Sequence, residues 1–503
     1  MKQPQQRAVF EQQPQSGETA FLHLPKSIPL VLDLDGTLLR SDLLLESLVV
    51  SVKRAPLVSL RMFGWLFAGG RAGLKEQLAL LDTIDCETIP ANEDVVKLAQ
   101  QEAECGRQVV LATAANELLA HRIAKRFGFI TSVLASTSDD NLKGKRKAAA
   151  LQEKYPGGFI YAGDAQADMH VWRKAVAAVV VSASPSLKKQ VLSLGIPSLF
   201  ISIREPGFKQ LAKAARIQQC VKNVLIFAPL FLAGKFENYN AWISVVLAFA
   251  GMSLTAAATY LLNDLMDIAE DRRHWSKKKR AIASGVLPLR TALIGIPALF
   301  VSGLLIASAS APAVLALTAL YAVISLSYSI KLKRVPLVDV LIIAGLFSLR
   351  LLIGAVAADA IFSPWLFVFS TALFLSIALA KRHTEVIRLK ANNKTHASGR
   401  GYRVSDEPLV LALGTAAAAS AVVFFSLYLI SDSVRLTFYA GPQFLWVACS
   451  AIFMWLGRIW LLSQRGELND DPVAFAVKDQ PSLVLGGTVV LSFALSLLVK
   501  LPM

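Results

Sequence analysis

The chain has little cysteine: Cys86, Cys105, Cys220 and Cys449 stand far apart in 503 residues and form no CxxC pair. That speaks against a disulfide framework and against a thiolate zinc site, and it suits a reducing, cytoplasmic face for the first three. An apolar stretch of the kind a secretion signal needs is missing from residues 1–17, which are rich in glutamine; no signal peptide is expected, and residues 1–24 read as a disordered tail. No nucleic-acid-binding motif accompanies the net charge of +16, so that charge is assigned to topology and phosphate binding.

Apolar sequence, by contrast, is abundant, at 54% hydrophobic residues with a mean hydropathy of +0.50. This describes a polytopic membrane protein carrying a soluble part. Up to residue 220 the sequence is mixed and polar, and from Val221 apolar runs recur near 224–235, 241–262, 290–308, 312–328, 337–357, 363–380, 408–430, 443–463 and 483–500. Most are long enough to cross a bilayer at ~1.5 Å per residue. Basic residues crowd alternate loops: Arg272 to Arg280, then Lys331, Lys333 and Arg334, then Lys381, Arg382, Arg388, Lys390, Lys394, Arg400 and Arg403, then Arg465. The positive-inside rule places those loops and the N-terminal part on the cytoplasmic face of a bacterial inner membrane.

In the soluble part, residues 28–32 are a short apolar strand that delivers Asp33-Leu34-Asp35-Gly36-Thr37. A carboxylate at a strand tip can attack phosphorus in line, and one two residues on can protonate the leaving oxygen and then activate water. Three more stretches follow in order: a strand ending at Thr113, then Asn141-Leu142-Lys143-Gly144, then a strand ending in Gly163-Asp164 with Asp168 beyond. Together they resemble the four motifs of the haloacid dehalogenase (HAD) phosphatases. The resemblance implies an α/β, Rossmann-like domain over 25–214 with a helical cap at about 41–107. It also implies Thr113 on a phosphate oxygen and Lys143 as the phosphate-binding cation, with Lys145 and Lys147 as rivals. Mg²⁺ would be held by Asp33, Asp35 and Asp164, with Asp168 in support. The cap stretch 47–72 reads either as a packed core or as a basic, Trp65-bearing surface lying on the membrane.

At the end of the second apolar run stands Asn263-Asp264-Leu265-Met266-Asp267-Ile268-Ala269-Glu270-Asp271. Asp264, Asp267 and Asp271 are three and four apart, which at ~100° per residue puts them on one helix face. Three acids on one face repel. A magnesium ion held by few carboxylates relieves that repulsion and keeps positions open for phosphate oxygens. This NDxxDxxxD pattern resembles the UbiA superfamily of intramembrane prenyltransferases, and the resemblance implies an all-α membrane domain of about nine transmembrane helices over 215–503.

Two departures refine that likeness. The loop expected after the sixth span reads Lys381-Arg382-His383-Thr384-Glu385 and has no second aspartate-rich motif, which suits binding of several phosphate groups. With the stretches 216–223, 328–339, 349–354 and 465–472, it resembles the branch formed by decaprenyl-phosphate phosphoribosyltransferases, implying phosphoribosyl pyrophosphate (PRPP) and a polyprenyl phosphate lipid as substrates. Where that family reads HPxKxxRPIAxG, residues 274–285 have lost both prolines but keep Lys277 and Arg280 in place.

The roles implied are these. Mg²⁺ on Asp264, Asp267 and Asp271 binds the pyrophosphate of PRPP, beside Asn263, and Lys222, Asn223, Lys277 and Arg280 take its remaining oxygens. Tyr328, Lys331, Lys333, Arg334, Lys381 and Arg382 hold the ribose 5-phosphate or the lipid phosphate. Arg350, a charge inside a span, binds substrate, while Asp339 and Glu385 orient basic partners. The whole reads as a bifunctional enzyme that makes polyprenyl-phosphate ribose, a precursor of lipid-linked pentose for cell-surface glycans. The alternatives are an aromatic-acceptor prenyltransferase with an accessory phosphatase, or a HAD part that is a non-catalytic lipid-binding module. Partners are the bilayer and the two substrates, with monomer and homo-oligomer both open.

Overall fold

The structure, a computed structural model, describes residues 24–55, 58–81, 83–137, 141–182, 184–202, 212–361, 363–391, 400–431, 439–468, 475 and 479–499. The expected tail before Leu24, Lys394 and residues 469–472 lie outside them. Packing divides the chain into two compact units, Met1–Ala215 with Asp264–Ile294, and Arg216–Asn263 with Gly295–Met503. The linear division expected near residue 215 is thus interrupted, because the acidic segment packs with the N-terminal unit.

In the first unit six strands form one parallel sheet in the order β3-β2-β1-β4-β5-β6: β1 (Leu30–Leu32), β2 (Val109–Asn116), β3 (Ser132–Ser136), β4 (Ile160–Gly163), β5 (Ala177–Val181) and β6 (Ser198–Ile201). The helices are α1 (Leu43–Arg54), α2 (Val58–Leu80), α3 (Glu93–Glu104), α4 (Glu117–Arg126), α5 (Lys145–Lys154), α6 (Met169–Trp172) and α7 (Pro185–Leu192). Side chains alternate across a strand, so both faces of a helix-covered sheet must be apolar. Leu30, Leu32, Val109, Leu111, Ile160 and Ala162 fill one face, and Val31, Val110, Ala112, Tyr161 and Trp172 fill the other. β1 pairs with β2 on one side and β4 on the other. The strand order reverses between β1 and β4, and at such a switch point the carboxyl ends of the strands open a crevice for ligands.

The helical insertion is smaller than expected. α1 and α2 pack on each other through Met62, Leu74, Leu78 and Leu48, whereas Ile84, Cys86, Ile89, Val95 and Ala99 join the sheet core. Residues 84–104 therefore belong to the main body.

The second unit is helical. A 3-10 segment Ile217–Phe227 leads into α8 (Ala228–Leu232), and α9 (Tyr239–Met266) follows, passing at Asp264 into the first unit, where α10 (Ile268–Arg273) continues the chain. Then come α11 (Leu289–Ser310), α12 (Pro312–Ile330), α13 (Val338–Ala357), α14 (Pro364–Ala391), α15 (Glu407–Ile430), α16 (Leu445–Gln464) and α17 (Gln480–Leu498). Among the described residues, eight helices, α9 and α11 to α17, are long and apolar enough to cross a membrane. The first run expected to span is a shorter apolar helix, Cys220–Leu232; at ~1.5 Å per residue it cannot cross the ~30 Å hydrocarbon layer. Inside, Ile226, Leu230, Met252, Tyr321 and Ile353 share one core. Leu305, Val490 and Leu491 stay exposed on the outside, as on helices surrounded by lipid. α9 and α11 cross at small residues: a Cβ on Gly251 would lie 2.7 Å from Gly303 O, and one on Gly303 would lie 2.5 Å from Thr255 Oγ1. Only glycine permits so close a crossing.

Candidate functional site

At the sheet, Asp33 begins where β1 stops, and its N–H donates to Ala162 O at 2.9 Å, locking the β1 tip to β4. Gly36 then turns the chain with φ +81°, and a Cβ there would sit 2.2 Å from Asp164 Oδ2. Among the described residues one group of three acids could hold a metal: oxygens of Asp33, Asp164 and Asp168 lie within 4.8 Å of one another. Lys147 Nζ donates to Asp33 Oδ1 at 2.8 Å and to Tyr161 OH at 3.0 Å, and that phenol donates to Asp168 Oδ1 at 2.9 Å. Asp168 Oδ2 accepts from the N–H groups of Asp164 and Ala165 at 3.2 and 3.0 Å. Thr113 is buried, and its Oγ1 accepts from Ala115 N at 3.0 Å, leaving the hydroxyl proton to donate elsewhere.

The electrostatics follow from crowding. Burial, then the charges of Asp33 and Asp168, push Asp164 up to about 8. Burial, then Asp42 and Asp33, push Asp35 up to about 7, against the N–H of Leu43 that donates to it at 2.9 Å. Burial works against the charge on Lys147, yet Asp33 and Asp168 outweigh it and hold its pKa above the usual lysine value. An all-oxygen cluster with too little positive charge fits a hard divalent cation such as Mg²⁺.

Two expectations are corrected by this geometry. Lys143 is exposed, and the place beside Asp33 belongs to Lys147, because α5 starts at Lys145 and turns Lys147 inward with Ala148 and Leu151. Asp168, expected in support, is the third acid of the cluster, whereas Asp35, expected as a ligand, is engaged by the first turn of α1. Lys75, absent from the expected set, reaches from α2 to Ala114 O beside Thr113 at 2.5 Å.

The acidic segment is built differently. The expected continuous helix face is broken: α9 stops at Met266, Asp267 takes φ −95° and ψ 14°, and α10 resumes after it. Asp264 and Asp271, both buried, converge on Arg280, whose Nη1 lies 3.1 and 2.6 Å from their oxygens. Burial raises the pKa of Asp271, and Arg280 opposes the rise. Asp267 turns elsewhere, with Lys53 Nζ 3.3 Å from its Oδ1 and 2.6 Å from Glu270 Oε1. The next residues are anchored by Arg272, which forks onto Glu46 at 3.1 and 2.5 Å and donates through Nε to Ala283 O at 3.1 Å. Lys277 is exposed on a 3-10 turn. Without prolines, the loop is ordered by Ser284 N to Arg280 O at 2.9 Å and Leu287 N to Ala281 O at 2.9 Å. Asp264 and Asp271 thus share one protein cation and Asp267 and Glu270 another, so these oxygens are divided between two cations and not gathered at one point as those at the sheet are.

The UbiA prenyltransferase family matches residues 224–478, and the haloacid dehalogenase-like hydrolases match residues 30–173. The chain belongs to the UbiA prenyltransferase family. It is 37% identical to an uncharacterized protein, y4nM, of Sinorhizobium fredii over 94% of this chain and 92% of the relative. It is 32% identical to the nodulation protein NoeC of Azorhizobium caulinodans, over 55% of this chain and 90% of that one. It is also 33% identical to the decaprenyl-phosphate phosphoribosyltransferase of Corynebacterium glutamicum over 42% of this chain, a match that spans 64% of that relative. This UbiA-family protein is therefore a multi-pass membrane enzyme that joins a HAD-type hydrolase domain to a UbiA-type transferase domain.

In the transferase unit the structure gathers Lys222, Asn223 and Arg350. Arg350 is buried, donates to Asn223 Oδ1 at 2.8 Å and Tyr321 OH at 3.0 Å, and packs over Phe347, whose ring Lys222 also faces. Asn263 is half-buried in α9. A second group centres on Asp339, wholly buried, which accepts from Arg382 at 2.8 Å, Tyr402 OH at 2.7 Å and Arg400 at 3.4 Å, with Arg400 also 3.2 Å from Tyr328 OH. Arg400 and Tyr402 were missed because they lie far from any motif. The loop expected at 381–388 is instead the continuation of α14, where Lys381 is half-buried, and Arg382 is spent on Asp339 and on Glu385 at 2.6 Å. A guanidinium so enclosed holds α13 to α14. Lys331 and Arg334 are exposed at the turn after α12, with Lys333 half-buried between them.

Proposed function

We propose that the enzyme transfers phosphoribosyl from PRPP to a polyprenyl phosphate and then removes the 5-phosphate, giving a polyprenyl-phosphate ribose on the cytoplasmic face of the inner membrane. The observation that carries the transfer step is the acidic segment, where Asp264 and Asp271 meet at Arg280 and Asp267 is paired with Lys53. The likeness to a decaprenyl-phosphate phosphoribosyltransferase supports the substrate class. Asp264, Asp267 and Asp271 would hold Mg²⁺, which would supply positive charge for a pyrophosphate leaving group. Arg280 and Lys277 take its remaining oxygens, while the lipid phosphate attacks C1 of the ribose. Lys222, Asn223 and Arg350, with Tyr328, Lys331, Lys333 and Arg334, serve the ribose 5-phosphate and the lipid phosphate.

For the second step the sheet supplies a complete set. Asp33 attacks phosphorus; Asp35, with its pKa at about 7, carries the proton for the leaving oxygen and later takes one from water. Lys147 and the Thr113 hydroxyl hold phosphate oxygens, and Asp164 and Asp168 complete the acid cluster that would hold Mg²⁺. The test is lipid mass spectrometry of membranes given labelled PRPP and polyprenyl phosphate. A ribosylated lipid lacking the 5-phosphate is expected, and transfer of a prenyl chain to an aromatic acid with no use of PRPP would overturn the reading.

A further inference from the structure

The acidic segment carries four carboxylates, and in this structure two protein cations each bridge two of them. Arg280, from the same loop, spans Asp264 and Asp271. Lys53 spans Asp267 and Glu270 although it lies 214 residues earlier, at the last turn of α1. The two bridges differ in depth. Asp271 is 2% exposed and Asp264 8% at the side chain, so breaking the Arg280 bridge would leave buried acids unpaired. The Lys53 and Asp267 side chains are 22% and 19% exposed. An ion pair open to solvent is weakly held and exchanges readily. α1 itself is fixed, since Glu46, one turn and more before Lys53, is 1% exposed and forks with Arg272. Lys53 is thus presented to Asp267 by a rigid helix and is not a wandering surface chain.

We propose that Lys53 is the resident counter-ion of Asp267, and that a divalent cation enters the acidic segment by displacing the Lys53 ammonium while the Arg280 bridge stays in place. The proposal rests on the reading of this segment as a cation and diphosphate site. It makes Lys53, from the hydrolase part of the chain, a determinant of how much cation the transferase motif requires. The ammonium keeps Asp267 and Glu270 from repelling one another when no metal is bound, and it competes when metal arrives.

The experiment uses the full-length protein in detergent, with Asp164→Asn to silence the acid cluster at the sheet, and measures binding of manganese(II) alone by the loss of the free-ion paramagnetic signal. Lys53→Gln removes the competitor, so binding should tighten by about three- to tenfold, and Lys53→Arg, which keeps the charge, should bind like the parent. Unchanged or weaker binding in Lys53→Gln overturns the proposal, because a lysine that merely supports the fold cannot tighten a metal site on removal. If Asp267→Asn binds manganese as the parent does, the reading of the acidic segment itself fails. Independently of any substitution, acetylation of Lys53 by a water-soluble ester, followed by peptide mass spectrometry, should speed up when manganese is added; protection unchanged by the metal would count against displacement.

Discussion

Two groups of carboxylates in one unit handle the same problem in opposite ways. At the sheet, Asp33, Asp164 and Asp168 crowd within 4.8 Å around one lysine, and burial with mutual repulsion lifts Asp164 to about 8. In the acidic segment, Asp264, Asp267, Glu270 and Asp271 are all paired, two on Arg280 and two on Lys53. The difference lies in what holds the backbone. Strand tips tied across a sheet can force acids together, because the ladder and the N–H groups donated to Asp168 oppose their repulsion. A break between two helices has no such clamp, so side-chain cations must supply the cohesion.

The largest effect that would sharpen this contrast is Asp33→Asn. Loss of the nucleophile should cut dephosphorylation by about ten-thousandfold while transfer continues, so the 5-phosphorylated lipid should accumulate in lipid extracts. No such accumulation would mean that the hydrolase domain acts on another substrate. Next, Asp264→Asn or Asp267→Asn should lower transfer from PRPP by about a thousandfold and leave hydrolysis of an added phosphoribosyl lipid unchanged; joint loss of both activities would erase the distinction between the groups. Glu46→Ala tests the anchoring of the acidic segment. It strands a buried Arg272, so unfolding of the first unit should be easier by about 3 kcal/mol, read from denaturant titration of the full protein. Gly36→Ala places a Cβ against Asp164 and should cost about 2 kcal/mol together with most of the hydrolase activity. The smallest effect separates two lysines: Lys147→Gln should reduce hydrolysis by about a hundredfold, whereas the exposed Lys143→Gln should change it by less than about twofold.

Much of the sheet was legible, because short apolar runs ending in Asp-x-Asp and Gly-Asp mark strands whose tips carry acids. Choosing among Lys143, Lys145 and Lys147 needed the helix start: Ala148 and Leu151 are apolar one and four places beyond Lys147, a pattern that puts Lys147 on the inner face. The break at Asp267 left no mark, since its spacing fits an unbroken helix and no Pro or Gly interrupts it. The charges at 381–390 read as a loop because their partners are remote; Asp339 neutralises Arg382 from another helix and lets α14 run on to Ala391. The short first run fell below spanning length when its leading part became a 3-10 segment ending before Pro229.

Helix α1 has one further consequence. The N–H of Leu43 at its start meets Asp35, Lys53 in its last turn meets Asp267, and the helix between them rises about 15 Å. On the proposed two-step reading, a lipid headgroup released at one end and confined within that radius would have an effective concentration on the order of tens of millimolar at the other. Enzymes commonly half-saturate below about 1 mM. If the proposed two-step reading holds, a hydrolase site so placed needs little affinity of its own for the headgroup.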